Sequence, residues 1–456
     1  MKKLFSTIVC AMALFAMTSC SKDDPWDGKQ SVVKVNTKFA SAGLDASKIE
    51  GVKVNFVDVN TQESTTSTFK GGVCDINVVP GVYNIIVESD VKDKVRYCAA
   101  QENVTIKDQN TTLELLIKAF PAVINNDGFI ISEYFFNGER NSGWMMHPDQ
   151  YIVIHNSSLT TKYADGLSFA TADQFSVSKP EPYLASIINE KVAIIGFFTI
   201  PGDGKKFPVK PGEEIVIAMT ATDHSAIKTT ITDREGVVHE VSYDYAANLT
   251  GADFEWYNPD PKSKDIDNPG VANVIATSGT WDGYGAYMHP RGFYSAVLFQ
   301  LKDGQPATIE EFHKANTTIY KYPDTTDKEG NKVEGKEKNL TCVPNNMVKD
   351  AICTGDRPLV TRPFSESLDR GFFSVAGCHR QELARRKVVK VDGADYFQDT
   401  NNTTDDFEKV FGQYHYPIGW RDNGSRKQVK YIGSKAGVSA AEAGFQKIAA
   451  PIQRAN

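Results

Sequence analysis

The 456 residues, 41% hydrophobic and 11% aromatic, can build packed cores and exceed the usual single-domain size, so two or three domains are expected. A formal charge of -7 excludes a general nucleic-acid binder, which needs a concentrated basic face. After the N-terminus no apolar stretch is long enough to span a membrane. The chain opens with Lys2, Lys3 and an apolar run from Leu4 to Met17, the n-region and short h-region of a signal peptide. Met17-Thr18-Ser19-Cys20 is a loose lipobox, so residues 1–19 read as a lipoprotein leader and Cys20 as the acylated residue. Residues 20–31, polar and charged, read as a tether lifting the protein off the membrane. Val32 to Phe39 and Val52 to Val59 alternate apolar and polar, and Val82 to Val87 and Leu113 to Ile117 are short β-rich runs between turns. These predict a small β-sandwich over 32–120. A larger β-domain is expected over 121–420, and 421–456 is a polar, Ala-rich tail. Gly143-Trp144-Met145-Met146-His147-Pro148 is echoed by Gly285-Ala286-Tyr287-Met288-His289-Pro290, each before an apolar strand; two related halves, 128–260 and 270–420, would explain this.

Several stretches carry resemblances. Ser21-Lys22-Asp23-Asp24 resembles the Lys-plus-acidic signal by which Bacteroidota send lipoproteins to the outer face of the outer membrane. Gly71 to Tyr83 has a strand, a Pro80-Gly81 turn and a strand carrying Tyr83, and resembles transthyretin-like domains related to the carboxypeptidase regulatory domain. There Pro80 presets φ and Gly81 is expected to supply a positive φ. Phe129 to Gly138, Asp149 to Ser158, Ala164 to Leu167 and Val209 to Ala218 resemble the lamin-tail, immunoglobulin-like pattern. Together with Ala252 to Tyr257, Ser367 to Gly371, Arg385-Arg386-Lys387 and Asp399 to Phe407, the layout over about residues 30–420 is similar to an uncharacterised family of Bacteroidota lipoproteins with a lamin-tail-like core. The resemblance implies an all-β protein: a small transthyretin-like β-sandwich followed by a larger lamin-tail-like β-sandwich domain.

Candidate chemistry is sparse. Met beside His in both Met-His-Pro copies suits soft or borderline metals, but each set lacks the further ligands of a closed site, so tight copper or haem binding, or any cofactor, is not expected. Trp144, His147, Trp281 and His289 are instead candidate ligand-binding residues, with Trp256 and Trp420 as further stacking rings. Asp399, Asn401 and Asp405 offer hard oxygens to a cation such as calcium, although Asx-turns account for the same residues. Cys342 and Cys353 could close a loop as a disulfide. Arg385-Arg386-Lys387 before Val388 reads as a charged strand start, and Pro201 to Lys206 as a hairpin loop. Gly-x-Ser-x-Gly, His-Glu-x-x-His, Walker and dinucleotide motifs are absent from the sequence, so no catalytic residue is assigned. The expectation is a non-enzymatic lipoprotein of the outer membrane, facing the exterior and held by its acyl anchor. It binds a glycan, a small nutrient or a partner beside a β-barrel transporter, and no nucleic acid. An adhesion or matrix stalk is the alternative, and a hydrolase with an unrecognised site the third.

Overall fold

The computed structural model describes residues 30–107, 110–138, 149–226, 228–232, 236, 238–242, 248–259, 265–276, 288–302, 304, 306–378 and 380–411. The leader, Cys20, most of the tether and the tail 421–456 lie outside them. The chain divides into two compact units, Met1–Asp90 with Tyr97–Ala119, and Val91–Arg96 with Phe120–Asn456.

Seven strands build the first unit: β1 (Ser31–Phe39), β2 (Lys53–Asp58), β3 (Ser64–Thr68), β4 (Val73–Val78), β5 (Gly81–Glu88), β6 (Val95–Ile106) and β7 (Thr111–Pro121). Their order is β3-β2-β5-β6-β7-β1-β4, with β1 parallel to β7 and antiparallel to β4. Alternation in the sequence becomes a one-sided core: Val33 and Val35 of β1, Val54 and Phe56 of β2, Ile85 and Val87 of β5, and Leu115 and Ile117 of β7 all point into one cluster. Polar Lys34, Lys53 and Glu114 on the opposite face stay exposed, which sets the register, since a one-residue slip would exchange the faces.

The Pro80-Gly81 corner works differently from the sequence expectation. Gly81 has no positive φ. Its missing side chain instead leaves room for the ring of Tyr83, 3.3 Å from where a Cβ would stand. Tyr83 Oη thereby donates to the Val79 carbonyl at 2.6 Å, and its buried ring meets Phe56 edge-on. Tyr83→Phe removes that bond without emptying the core, so a loss of about 1 kcal/mol is expected in the first unit. Faster hydrogen exchange at β4 and β5 amides of the full-length variant would show it; unchanged protection would mean that water replaces the phenol.

The second unit carries two seven-stranded sheets. One runs in the order Ala272–Asn273, Phe254–Glu255, Glu214–Ala218, Tyr151–Asn156, Phe129–Phe135, Glu382–Arg386, Phe407–Phe411. The other runs Thr317–Lys321, Glu337–Pro344, Lys191–Thr199, Leu167–Ala172, Ala296–Gln300, Val348–Ile352, with Ile275–Ala276 paired to the end of Lys191–Thr199. Strands from 128–260 and from 270–420 share both sheets. Ile131, Ile152, Ile154, Ile215 and Ile217 of the first sheet meet Leu167, Phe169, Phe198, Leu298 and Ile352 of the second in one core. Each sheet also buries its other face. Phe135, Tyr151, Val153 and Val216 pack under Ala221, Leu249 and Val271, while Phe197 and Phe299 pack against Phe312 of the helix Pro306–Asn316. Burial on both faces is why Phe129–Phe135 does not alternate: five of its seven residues are apolar, and every one, Ser132 and Glu133 included, is buried. This is an all-β fold of sandwich type.

Some local readings shift. Trp256 is buried against Phe198, 5.1 Å between rings, so it is core and not a stacking platform. Pro201 to Lys206 joins strands that do not pair with each other; the loop is organised by the Asp165 carboxylate, which accepts from the N–H groups of Asp203, Gly204, Lys206 and Phe207. Cys342 and Cys353 are both buried and are not joined in a disulfide.

Candidate ligand-binding site

The second Met-His-Pro copy closes a tight turn before the strand Ala296–Gln300. Gly292 N–H donates to the His289 carbonyl at 2.7 Å, and Arg291 N–H donates to His289 Nδ1 at 3.1 Å. Gly292 sits at φ +69° with Phe136 carbon 2.7 Å from any added Cβ, so both the turn and the close approach require glycine here. The imidazole stacks on Phe293 at 4.5 Å and 19°. Burial, assisted by the Arg291 charge and opposed by Asp356, pulls His289 down to about 4, so the ring is neutral at physiological pH.

Two amide side chains tie this turn to distant segments. Gln150 Nε2 donates to the carbonyls of Phe136 and Met288. Asn137 Nδ2 donates to the carbonyls of Pro290 and Gly377, while its Oδ1 accepts from Arg380 N–H and Glu382 N–H. Both amides are fully buried, where an unmade bond is costly, so these contacts fix the positions of the three segments. Residues 136–138 and 149–150, which flank the first Met-His-Pro copy, therefore lie against the second copy and against 377–382. Of the candidate ligand-binding residues, His289 is in this place; Trp144, His147 and Trp281, like Trp420, lie outside the described residues.

At the edge of the turn, Arg291 Nε pairs with the Asp356 carboxylate, whose other oxygen is 3.5 Å from Arg357 Nε. Both guanidinium carbons stand over the Phe293 ring, each 5.4 Å from its centroid. Sequence reasoning passed over this group because its charges are 65 residues apart in the chain. The only local signal was Arg291 next to the Met-His-Pro motif.

The other candidate cluster is committed to the fold. Asp399 Oδ1 accepts from Arg386 Nη1 at 3.2 Å and its Oδ2 from Asn125 Nδ2 at 3.0 Å. Asn401, at φ 52°, donates from Nδ2 to the Ser367 carbonyl, and Asp405 Oδ2 accepts from Asn402 Nδ2 at 2.6 Å. Asn402 also caps the short helix Thr403–Asp406. Among the described residues no group of three or more His, Cys, Asp or Glu side chains has the arrangement to hold a metal ion.

Arg386 is the centre of that region. Its side chain is 1% exposed and faces Asp350, Asp399 and Asp406, donates to the carbonyls of Ile131 and Gln398, and lies 4.5 Å over the Phe407 ring. Burial works against its charge, and the three carboxylates outweigh burial, holding its pKa above the ordinary value. Three carboxylates around one cation leave an excess of negative charge; burial, reinforced by Asp399 and resisted by Arg386, pushes Asp350 up to about 7. The basic run is thus split: Arg386 ends an inward-facing strand position, and the next strand, Val388–Val391, begins after Lys387.

A second buried polar group lies on the first sheet, where a bulge between Ile131 and Glu133 places Ser132 against Glu214 at 2.8 Å and Glu133 against Tyr151 and Arg385. Burial pushes Glu133 up to about 7, Arg385 opposing and Glu214 adding, while burial and the charge of Arg386 take nearby His155 down to about 4.

Residues 210–413 match the family model described as protein of unknown function, DUF4876. The matched segment holds the Met288-His289-Pro290 turn, Asp356 and Arg357, and the Arg386 cluster. The chain is similar in structure to a DUF4876 family protein from Bacteroides thetaiotaomicron VPI-5482, at 18% identity over 88% of this chain and 98% of that one, with a TM-score of 0.48. A candidate adhesin from Bacteroides ovatus ATCC 8483 aligns at 11% identity over 55% of this chain and 98% of that one, with a TM-score of 0.18. No curated protein matches the sequence. The family-model match agrees with the resemblance to an uncharacterised family and does not extend to its lamin-tail-like or transthyretin-like details.

Proposed function

We propose that this protein is a non-enzymatic, surface-exposed outer-membrane lipoprotein that binds a ligand or partner beside a nutrient-uptake transporter. The observation that carries the binding end is the pair of buried amides, Asn137 and Gln150, which hold the flanks of one Met-His-Pro copy against the other. Loops collected by a rigid β scaffold are the usual place for recognition. The anchoring rests on Cys20 and the Lys-plus-acidic residues after it. In this reading the first unit is a transthyretin-like spacer and the second a lamin-tail-like sandwich that presents the loops.

Crosslinking of intact cells that carry a tagged form of the protein, followed by identification of what copurifies from the outer membrane, tests the proposal. A β-barrel transporter in near-stoichiometric yield, together with palmitate labelling lost in Cys20→Ala, is the expected result. Matrix or host glycoproteins alone would replace the transporter reading with adhesion. Unlabelled, soluble protein would end the lipoprotein reading.

A further inference from the structure

We infer that Arg291 and Arg357, set over Phe293, form a binding site for a carboxylate or sulfate group carried on a glycan. The inference rests on the surface-binding reading above and names its ligand class. Among the described residues Asp356, with its side chain 1% exposed, is the carboxylate that both arginines meet, whereas the arginines are 37% and 57% exposed, so two guanidinium groups share one buried carboxylate and face solvent. Each arginine meets Asp356 through Nε. Their Nη groups, the fork that matches a planar or tetrahedral oxyanion, make no hydrogen bond among the described residues. Other arginines of this unit use theirs inside the fold: Arg362 on Glu366 and the Arg370 carbonyl, Arg370 on the Thr400 carbonyl, Arg386 on Asp350 and Asp399.

The two guanidinium groups are also held. Both rest on one ring, and that ring is clamped by His289 at 4.5 Å and Phe175 at 6.1 Å. Stacking and the shared carboxylate remove side-chain freedom that a free surface arginine would lose on binding. Arg380 enters the same rim through its backbone bond to Asn137, whose side chain also contacts Pro290. The chain as a whole carries -7, which repels long, dense polyanions such as nucleic acids; a glycan with an occasional acidic group suits a single pair of guanidinium groups.

The test titrates the full-length protein in detergent with trigalacturonate, a sulfated trisaccharide and a neutral trisaccharide of the same length. Acidic ligands should bind more tightly than the neutral one. Arg357→Gln should weaken them by about tenfold, the worth of a lost charged hydrogen bond. Because Arg357 is the more exposed partner, the variant's melting temperature checks that it is folded, and Arg291→Lys, which keeps the charge over Asp356, should lose less than Arg357→Gln. Preference for the uronate or for the sulfated sugar says which oxyanion is meant. Equal affinity for the neutral sugar, or acidic binding unchanged in Arg357→Gln, overturns the site while the surface-binding reading stands. No binding of any of the three also overturns it, and the crosslinking result then judges the wider reading by itself.

Discussion

Arg386→Leu should cost the second unit about 3–5 kcal/mol, the largest loss expected from any single substitution of a charged side chain here. The guanidinium is buried with Asp350, Asp399 and Asp406, and leucine would leave all three without a counter-charge while also freeing the carbonyls of Ile131 and Gln398. Breaking one partner out of a buried pair is costly because the remaining charge stays desolvated, whereas removing charge from both sides is much cheaper. The double variant Arg386→Leu/Asp350→Asn should therefore recover part of the loss. Urea unfolding at pH 7 measures both. A single variant within about 0.5 kcal/mol of the parent would mean that the desolvation of the buried guanidinium cancels what its pairing contributes.

The second large effect is expected at Asp369, which is fully buried and serves four donors: Cys353 N–H at 3.0 Å, Gly371 N–H and Thr403 N–H at 2.8 Å, and Thr403 Oγ1 at 2.7 Å. It thereby joins three segments distant in sequence. Gly371 must be glycine beside it, since an added Cβ would stand 2.2 Å from Thr404 N. Asp369→Ala orphans all four donors; water entering the space recovers some of them, leaving a loss of about 3 kcal/mol. In a unit of this size that lowers the melting temperature by about 4–6 °C. Asp369→Asn should lie between, because its amide nitrogen turns donors toward donors. Equal melting of Asp369→Asn and the parent would show that only one carboxylate oxygen matters.

The two units differ in how much of them is legible. In the first, period-two alternation at Val33, Val35, Val54 and Phe56 specifies strand, face and register together, because each strand has one dry side. In the second, strands such as Phe129–Phe135 are dry on both sides, so their apolar runs mark a buried strand without saying which neighbour it pairs with. Even at Pro80-Gly81-Val82-Tyr83 the sequence identified the corner but misjudged its glycine, which yields space to a ring and does not turn the chain.

By itself, then, the sequence determined the all-β class, the strands that alternate, the Tyr83 corner and the place of Met288-His289-Pro290 ahead of an apolar strand. These depend on side chains close together along the chain, where spacing is information. Only the tertiary structure decided that Arg386 is a buried cation while Lys387 beside it is not, that Asp369 joins three segments, and that Arg291 and Arg357 share Asp356 over Phe293. The physical reason is the same in each case: a buried or shared charge is defined by partners tens to hundreds of residues away, and no local pattern records which strands the fold brings together.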